Sequence, residues 1–127
     1  MFPSNVDMVY NVKHIRDDDP DLRLGEFEQF VLLALVRLGP GAYGATIRRD
    51  IEARAGRRLS ISAVYTTLER LEQKGLVRSW VGDPTPERGG RRKKHYALEP
   101  LGGRALRRSY EAFAAMANGL EEQIDAL

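Results

Sequence analysis

The hydrophobic period of this chain changes from helical to strand-like at Gly75, and that change limits the available folds more than any other feature. Before it, apolar residues recur at helical spacing in three separate stretches; after it, two short runs rich in strand formers appear. Phe27, Phe30, Val31, Ala34, Leu35 and Leu38 follow i, i+3, i+4, i+7, i+8 and i+11, which predicts a first helix over about 25–38, stopped by Gly39-Pro40-Gly41. Leu32, Leu33 and Val36 lie off that stripe yet are apolar too, so this helix is expected to be covered from more than one direction. A second helix over about 43–55 turns Ile47 and Ile51 inward and closes at Gly56. The third has the clearest ends: Ser60 as N-cap, Val64, Leu68 and Leu71 as buried face, and Gly75 as C-terminal stop after Lys74.

Leu76–Val81 and Lys94–Leu98 then predict two strands of a hairpin. The tip between them, residues 82–93, holds Gly and Pro, and the hairpin carries five cations in seven residues: Arg88, Arg91, Arg92, Lys93 and Lys94. Trp80, alternating with Arg78, is expected to pack rather than to serve as a stacking platform. A last helix is predicted from Pro100 to Leu127. Leu106, Tyr110, Phe113, Ala117, Leu120, Ile124 and Leu127 step by 4, 3, 4, 3, 4, 3, a heptad-like seam. The chain thus divides into an N-terminal extension (1–23), a body (24–98) and a C-terminal helix (99–127). Its class is mainly α with a small β-hairpin: a winged helix-turn-helix carrying a C-terminal dimerisation helix.

Charge separates the same three parts. The body carries fourteen basic and eight acidic residues, whereas each flank carries three basic and five acidic. The positive excess therefore lies where an anionic partner would bind. On the third helix, the face opposite the buried one presents Ser62, Tyr65, Thr66, Glu69, Arg70 and Gln73. Ser62, Tyr65 and Thr66 suit phosphate oxygens or base edges, and Arg70 can reach either. Gly89 and Gly90 let the hairpin tip approach a phosphate strand closely. Taken singly, each of these groups is as well explained by a solvated surface. Their order along the chain, a free polar helix face followed by a basic hairpin, is what duplex DNA binding requires.

Other classes of function lack their chemistry. With no cysteine, a disulfide scaffold, a Cys-based zinc site and a thiol nucleophile are excluded. The two histidines, His14 and His95, are far apart, and no phosphate-binding glycine loop or nucleophile–base pair is visible, so neither an enzyme nor a cofactor or metal is expected. The longest apolar run, Phe30–Val36, is seven residues, short of the roughly 20 that span a bilayer. With no signal-like N-terminus, a cytoplasmic protein without membrane contact is expected. The competing reading is a winged-helix protein-interaction module that does not read DNA.

The segments Leu32–Gly44 (LLALVRLGPGAYG), Arg57–Val77 (RRLSISAVYTTLERLEQKGLV) and Glu87–Leu98 (ERGGRRKKHYAL) resemble the PadR family of bacterial transcriptional regulators, over about residues 24–106. The combination of Tyr-Thr-Thr-Leu with Gly-Gly-Arg-Arg-Lys-Lys-x-Tyr carries the resemblance. It implies a homodimeric repressor that grips operator DNA through paired winged helices, in the shorter subclass whose single C-terminal helix pairs with the partner's first helix. By resemblance, Tyr43, Ser62, Tyr65, Thr66, the run Gly89–Lys94 and Tyr96 are DNA-contacting positions. It also implies regulation by a small-molecule effector in some members. This chain's last helix lacks the tryptophan of a drug-stacking subgroup, so no ligand site or effector identity is carried over. Independently of resemblance, the C-terminal seam has too little of its own chain to cover it. Phe30, Leu106, Tyr110, Phe113, Ala117, Leu120 and Ile124 are therefore the expected dimer interface.

Overall fold

The structure is a computed structural model that describes residues 22–82 and 92–127. Its elements are α1 (Glu26–Leu38), a 3₁₀ turn (Gly39–Gly41), α2 (Gly44–Ala55), α3 (Ile61–Gln73), β1 (Val77–Val81), β2 (Lys94–Leu98), α4 (Pro100–Ala117) and α5 (Glu121–Asp125). Local chemistry accounts for the ends of the helices. The Glu28 carboxylate accepts from the Gly25 N–H at 2.9 Å, closing the first turn of α1. The Ser60 hydroxyl accepts from the Ala63 N–H at 3.1 Å and starts α3. At the other end of α3, Gly75 sits at φ +79. The Leu76 N–H donates to the Leu71 carbonyl and the Gly75 N–H to that of Glu72, both at 2.9 Å, the paired bonds of a Schellman stop.

β1 and β2 pair antiparallel, Val77 opposite Leu98 through Val81 opposite Lys94. The turn leading into α2 adds itself to the free edge of β2. Tyr43 bridges His95, and the Tyr96 N–H donates to the Ala42 carbonyl at 3.1 Å. The hairpin stem is therefore bonded along both sides of β2.

One core joins all of this: Val31, Leu32, Ala34 and Leu35 of α1, Ile47 and Ile51 of α2, Val64, Leu68 and Leu71 of α3, Leu76, Val77 and Tyr96 of the hairpin, and Ala105 of α4. Leu22, at the edge of the N-terminal extension, is also buried in it. α1 touches α2, α3, α4 and β2, which is why Leu32, off its predicted stripe, is fully buried. A partly buried ion pair, Lys74 Nζ to Glu28 Oε2 at 3.2 Å, ties the end of α3 to the start of α1.

The C-terminal prediction needs correction. The last helix does not run unbroken to Leu127: α4 ends at Ala117, Asn118 is non-helical at ψ 127, and Gly119 takes φ +84 before α5 begins. Asn-Gly adopts left-handed backbone at least cost, and here that local preference outweighs the heptad spacing. The seam is thus split, with Leu106, Tyr110, Phe113 and Ala117 on α4, and Leu120, Ile124 and Leu127 beyond the break. Gly102 has a positive reason to be glycine. A Cβ there would collide with the Leu76 carbonyl and meet Leu98 Cδ2 at 3.2 Å, so its absence lets α4 pack closely on the base of the hairpin.

Candidate nucleic-acid interface

α3 is held by one face and free on the other. Val64, Leu68 and Leu71 are wholly inaccessible, while Ser62, Tyr65, Thr66, Glu69, Arg70 and Gln73 are all exposed. The Ser62 hydroxyl lies 3.3 Å from that of Ser60 at the N-terminal turn. Among the described residues, no hydrogen bond or ion pair engages the Arg70 guanidinium. The Tyr65 ring, though exposed on one side, lies across the backbone of Gly44, where any Cβ would strike it. Gly44, which the sequence did not single out, thereby sets how closely α3 crosses the start of α2. Its only sequence signal was its place directly after Tyr43.

Strand alternation divides the basic hairpin run between two faces. Lys93 turns toward the α2 turn, its ammonium 4.6 Å from the centre of the Tyr43 ring and donating to the Tyr43 hydroxyl at 3.4 Å. Lys94 points to the other side, 5.9 Å from the Tyr96 ring centre. Arg92 is exposed. Arg88, Gly89, Gly90 and Arg91 lie outside the described residues. Tyr43 itself is half-buried and extended at φ −145, the residue from which α2 starts; its N–H donates to the Thr46 hydroxyl at 3.0 Å.

Tyr96 does not belong on the contact surface. Among the described residues it is the largest fully buried side chain, 1% exposed, because its place in β2 turns it into the core. Burial, reinforced by the carboxylate of Glu72, pushes its phenol up to about 12. Trp80 likewise departs from expectation, being 41% exposed on the outer side of β1. There it belongs to an aromatic and cationic ladder. Arg78 lies 5.7 Å from the Trp80 ring, Trp80 stacks on His95 at 5.7 Å and 18°, and His95 meets Tyr43 edge-on at 5.8 Å. His95 was noticed in the sequence only as an isolated histidine. In the fold its ring lies between Trp80 of β1 and Tyr43 of the α2 turn, close enough to Gly82 that a Cβ there would lie 2.8 Å from it.

The residues expected at a dimer interface are unequally placed. Phe30 and Leu106 are half-buried against the core, with the Arg57 guanidinium 5.1 Å from the Phe30 ring. Tyr110 and Phe113 are 69% and 75% exposed, joined by Met116 at 79%, while Leu120 and Ile124 are close to half-exposed. Ala117 is half-buried. Among the described residues no group of three metal-ligating side chains occurs, and no helix is long and apolar enough to cross a membrane.

Comparison with known proteins agrees with this geometry. The sequence model of the Transcriptional regulator PadR-like family matches residues 32–108. Among solved structures, the chain is similar in fold to a PadR family transcription regulator from hypervirulent Clostridium difficile, at 21% identity and TM-score 0.65, covering 79% of this chain and 99% of that one. It is similar to a PadR family transcriptional regulator from Eggerthella lenta, at 25% identity and TM-score 0.58, covering 80% and 88% respectively. It is also similar to hsRosR-S4, described as a complex structure, at 25% identity and TM-score 0.61, covering 84% and 88%. Comparison with curated proteins finds no match. The mainly helical winged-helix architecture expected from the sequence is the one observed.

Proposed function

The chain belongs to the PadR-like family of transcriptional regulators, and from that premise we propose that it is a homodimeric, sequence-specific repressor acting on operator DNA. One observation carries the reading: α3 buries Val64, Leu68 and Leu71 and leaves Ser62, Thr66 and Arg70 facing outward. β1 is joined to that helix by the Ser79 hydroxyl donating to Glu72 at 2.8 Å. In this reading α3 enters the major groove, with Thr66 and Arg70 toward base edges and Ser62 and Tyr65 toward phosphates. Arg92, Lys93 and Lys94 hold the flanking backbone from the hairpin, which positions the protein without reading sequence. Tyr43 contributes by fixing Lys93.

A twofold pair supplies the second reading head, one helical turn away at about 34–36 Å. The row Tyr110, Phe113 and Met116 supports it, since so much adjoining apolar surface is costly for a monomer to leave in water.

Selection of duplexes from a random pool, followed by fluorescence anisotropy on a selected site, tests the assignment. Alanine at Arg92, Lys93 and Lys94 should weaken binding to every duplex and flatten the dependence of log K on log salt by roughly 0.9 per lost phosphate contact. Alanine at Thr66 or Arg70 should instead alter preference among sequences. Undiminished affinity with an unchanged salt slope in the triple variant, or no selected sequence at all, overturns the proposal.

A further inference from the structure

A groove of about 600 Å³ lies between α4 and the stretch that leads into α1. On the α4 side it is lined by Ala105, Ser109, Ala112 and Met116, at i, i+4, i+7 and i+11. The seam Leu106, Tyr110, Phe113 and Ala117 repeats that spacing one residue later, about 100° further round the helix. A second copy seated on the seam therefore does not by itself fill the groove. One end is closed, with Leu22 and Ala105 buried in the core. At the other end Phe113 and Met116 stand in water. Arg23 and Arg108 flank the groove, both exposed, and among the described residues no hydrogen bond or ion pair engages either guanidinium.

The sequence before Leu22 has the matching character, and connectivity decides where it starts. Leu22 is buried, and the Leu24 carbonyl accepts from the Gln29 side-chain amide at 3.1 Å, so residues 1–21 join the body at the closed end. Asp17, Asp18, Asp19 and Asp21 are thereby tethered within five residues of Leu22, beside the two unpaired cations. Further back come Val9, Tyr10, Val12 and Ile15. From Ala105 to Met116 the groove wall is eleven residues of helix, about 16 Å, which an extended chain covers with about five residues. Val12 is ten residues from Leu22 and so reaches the open end with length to spare.

We propose that the chain's own N-terminal segment, residues 1–21, docks in this groove. Asp17, Asp18, Asp19 and Asp21 would face Arg23 and Arg108, while Val9, Tyr10, Val12 and Ile15 would cover Ala112, Phe113 and Met116. Three observations favour this occupant over any other. The segment is covalently delivered to the closed end. Its acidic run falls where the cations are, and its apolar residues fall where the exposed Phe113 and Met116 are. And the groove stripe is separate from the seam offered to a second copy. Docking of this kind would continue the core beyond Ala105 and fix the direction in which α4 leaves the body.

The absence of cysteine makes the test direct, because every disulfide formed must come from introduced residues. Four double variants of the full chain are compared under one mild oxidant. Ser109→Cys with Ile15→Cys and Met116→Cys with Val9→Cys match the direction in which the segment runs; Ser109→Cys with Val9→Cys and Met116→Cys with Ile15→Cys cross it. The matched pairs should close within one chain about tenfold faster than the crossed pairs, since docking raises the effective concentration in one register only. Arg108→Glu should shrink that difference, most at low salt. Replacing Val9, Tyr10, Val12 and Ile15 by serine should uncover the groove and raise the fluorescence of an added apolar dye, anilinonaphthalene sulfonate, roughly twofold. Circular dichroism should show the helices of the body intact in each variant. Equal rates for matched and crossed pairs overturn the docking, as does unchanged dye fluorescence in the serine variant. Disulfide-linked dimers in place of intrachain bonds overturn it too, and give the groove to a second copy. Each of these results leaves the DNA-binding reading standing.

Discussion

Gly102 and Gly103 are neighbours in the first turn of α4, and the same substitution should have opposite effects at the two. An alanine gains about 1 kcal/mol of helix propensity over glycine at either place. At Gly103 nothing lies within 4 Å of the new Cβ, so that gain is realised in full. At Gly102 the Cβ falls inside the contact radius of the Leu76 carbonyl, and the obstacle is backbone that no rotamer change can move. The same carbonyl accepts the Glu99 N–H at 2.9 Å, the bond that anchors the start of α4 to the hairpin. Forcing extra volume into a packed site costs about 1–3 kcal/mol, and loosening that bond costs about 1 more. Subtracting the propensity gain leaves Gly102→Ala less stable by about 1–3 kcal/mol, with Gly103→Ala more stable by up to about 1. Urea unfolding at one fixed protein concentration measures both, since association would otherwise shift the midpoint. In a chain of this length each kcal/mol moves Tm by roughly 3–5 °C. Should both variants shift in the same direction, the close approach of α4 to Leu76 does not control stability and the packing argument fails.

Two further outcomes follow from named residues. Tyr96 ionises near 10 in the unfolded chain and near 12 in the folded one. Between those pH values the unfolded state has lost a proton that the native state keeps, so stability present below pH 10 should be lost as pH rises toward 12. Tyr96→Phe should remove that part of the decline, and an identical alkaline profile in both proteins would count against the buried phenol. Ser60→Ala removes the hydroxyl that caps α3 and should cost about 1 kcal/mol in thermal unfolding. A variant as stable as the parent would mean water caps the helix equally well.

Periodicity and capping made most of the architecture legible. The ends of α1, α2 and α3, the three inward residues of α3, and the paired strands follow from residue spacing and from Ser60, Gly56 and Gly75. What escaped depends on contacts between segments distant in sequence. Gly44 and Gly102 look like weak points in helices until the Tyr65 ring and the Leu76 carbonyl are placed beside them. Glu28 looks like a solvated first-turn acid until Lys74 arrives from 46 residues away. The C-terminal error has a different origin. A heptad pattern reports which residues are apolar, but Asn118-Gly119 decides whether the backbone stays helical between them, and turn chemistry prevailed.

The basic hairpin shows how far composition alone misleads about a site. As a string, Arg92-Lys93-Lys94 is one block of charge and Tyr96 its aromatic companion. As a strand, successive side chains must leave on opposite faces. Tyr96 therefore enters the core and His95 emerges against Trp80, its direct partner across the ladder. The two cations preceding His95 are separated in the same way, Lys93 against Tyr43 and Lys94 over Tyr96. Because the Tyr43 backbone also bridges His95, the hairpin stem cannot tilt without disturbing the start of α2, and α2 carries the Gly44 backbone on which Tyr65 of α3 rests. The stem of the wing and the polar helix face are thus fixed relative to each other through one short chain of contacts, Lys93 to Tyr43 to Gly44 to Tyr65. A rigid relation between the two is what reading a groove and its flanking phosphates together demands, and it arises from packing at a turn rather than from the charges that first drew attention to the hairpin.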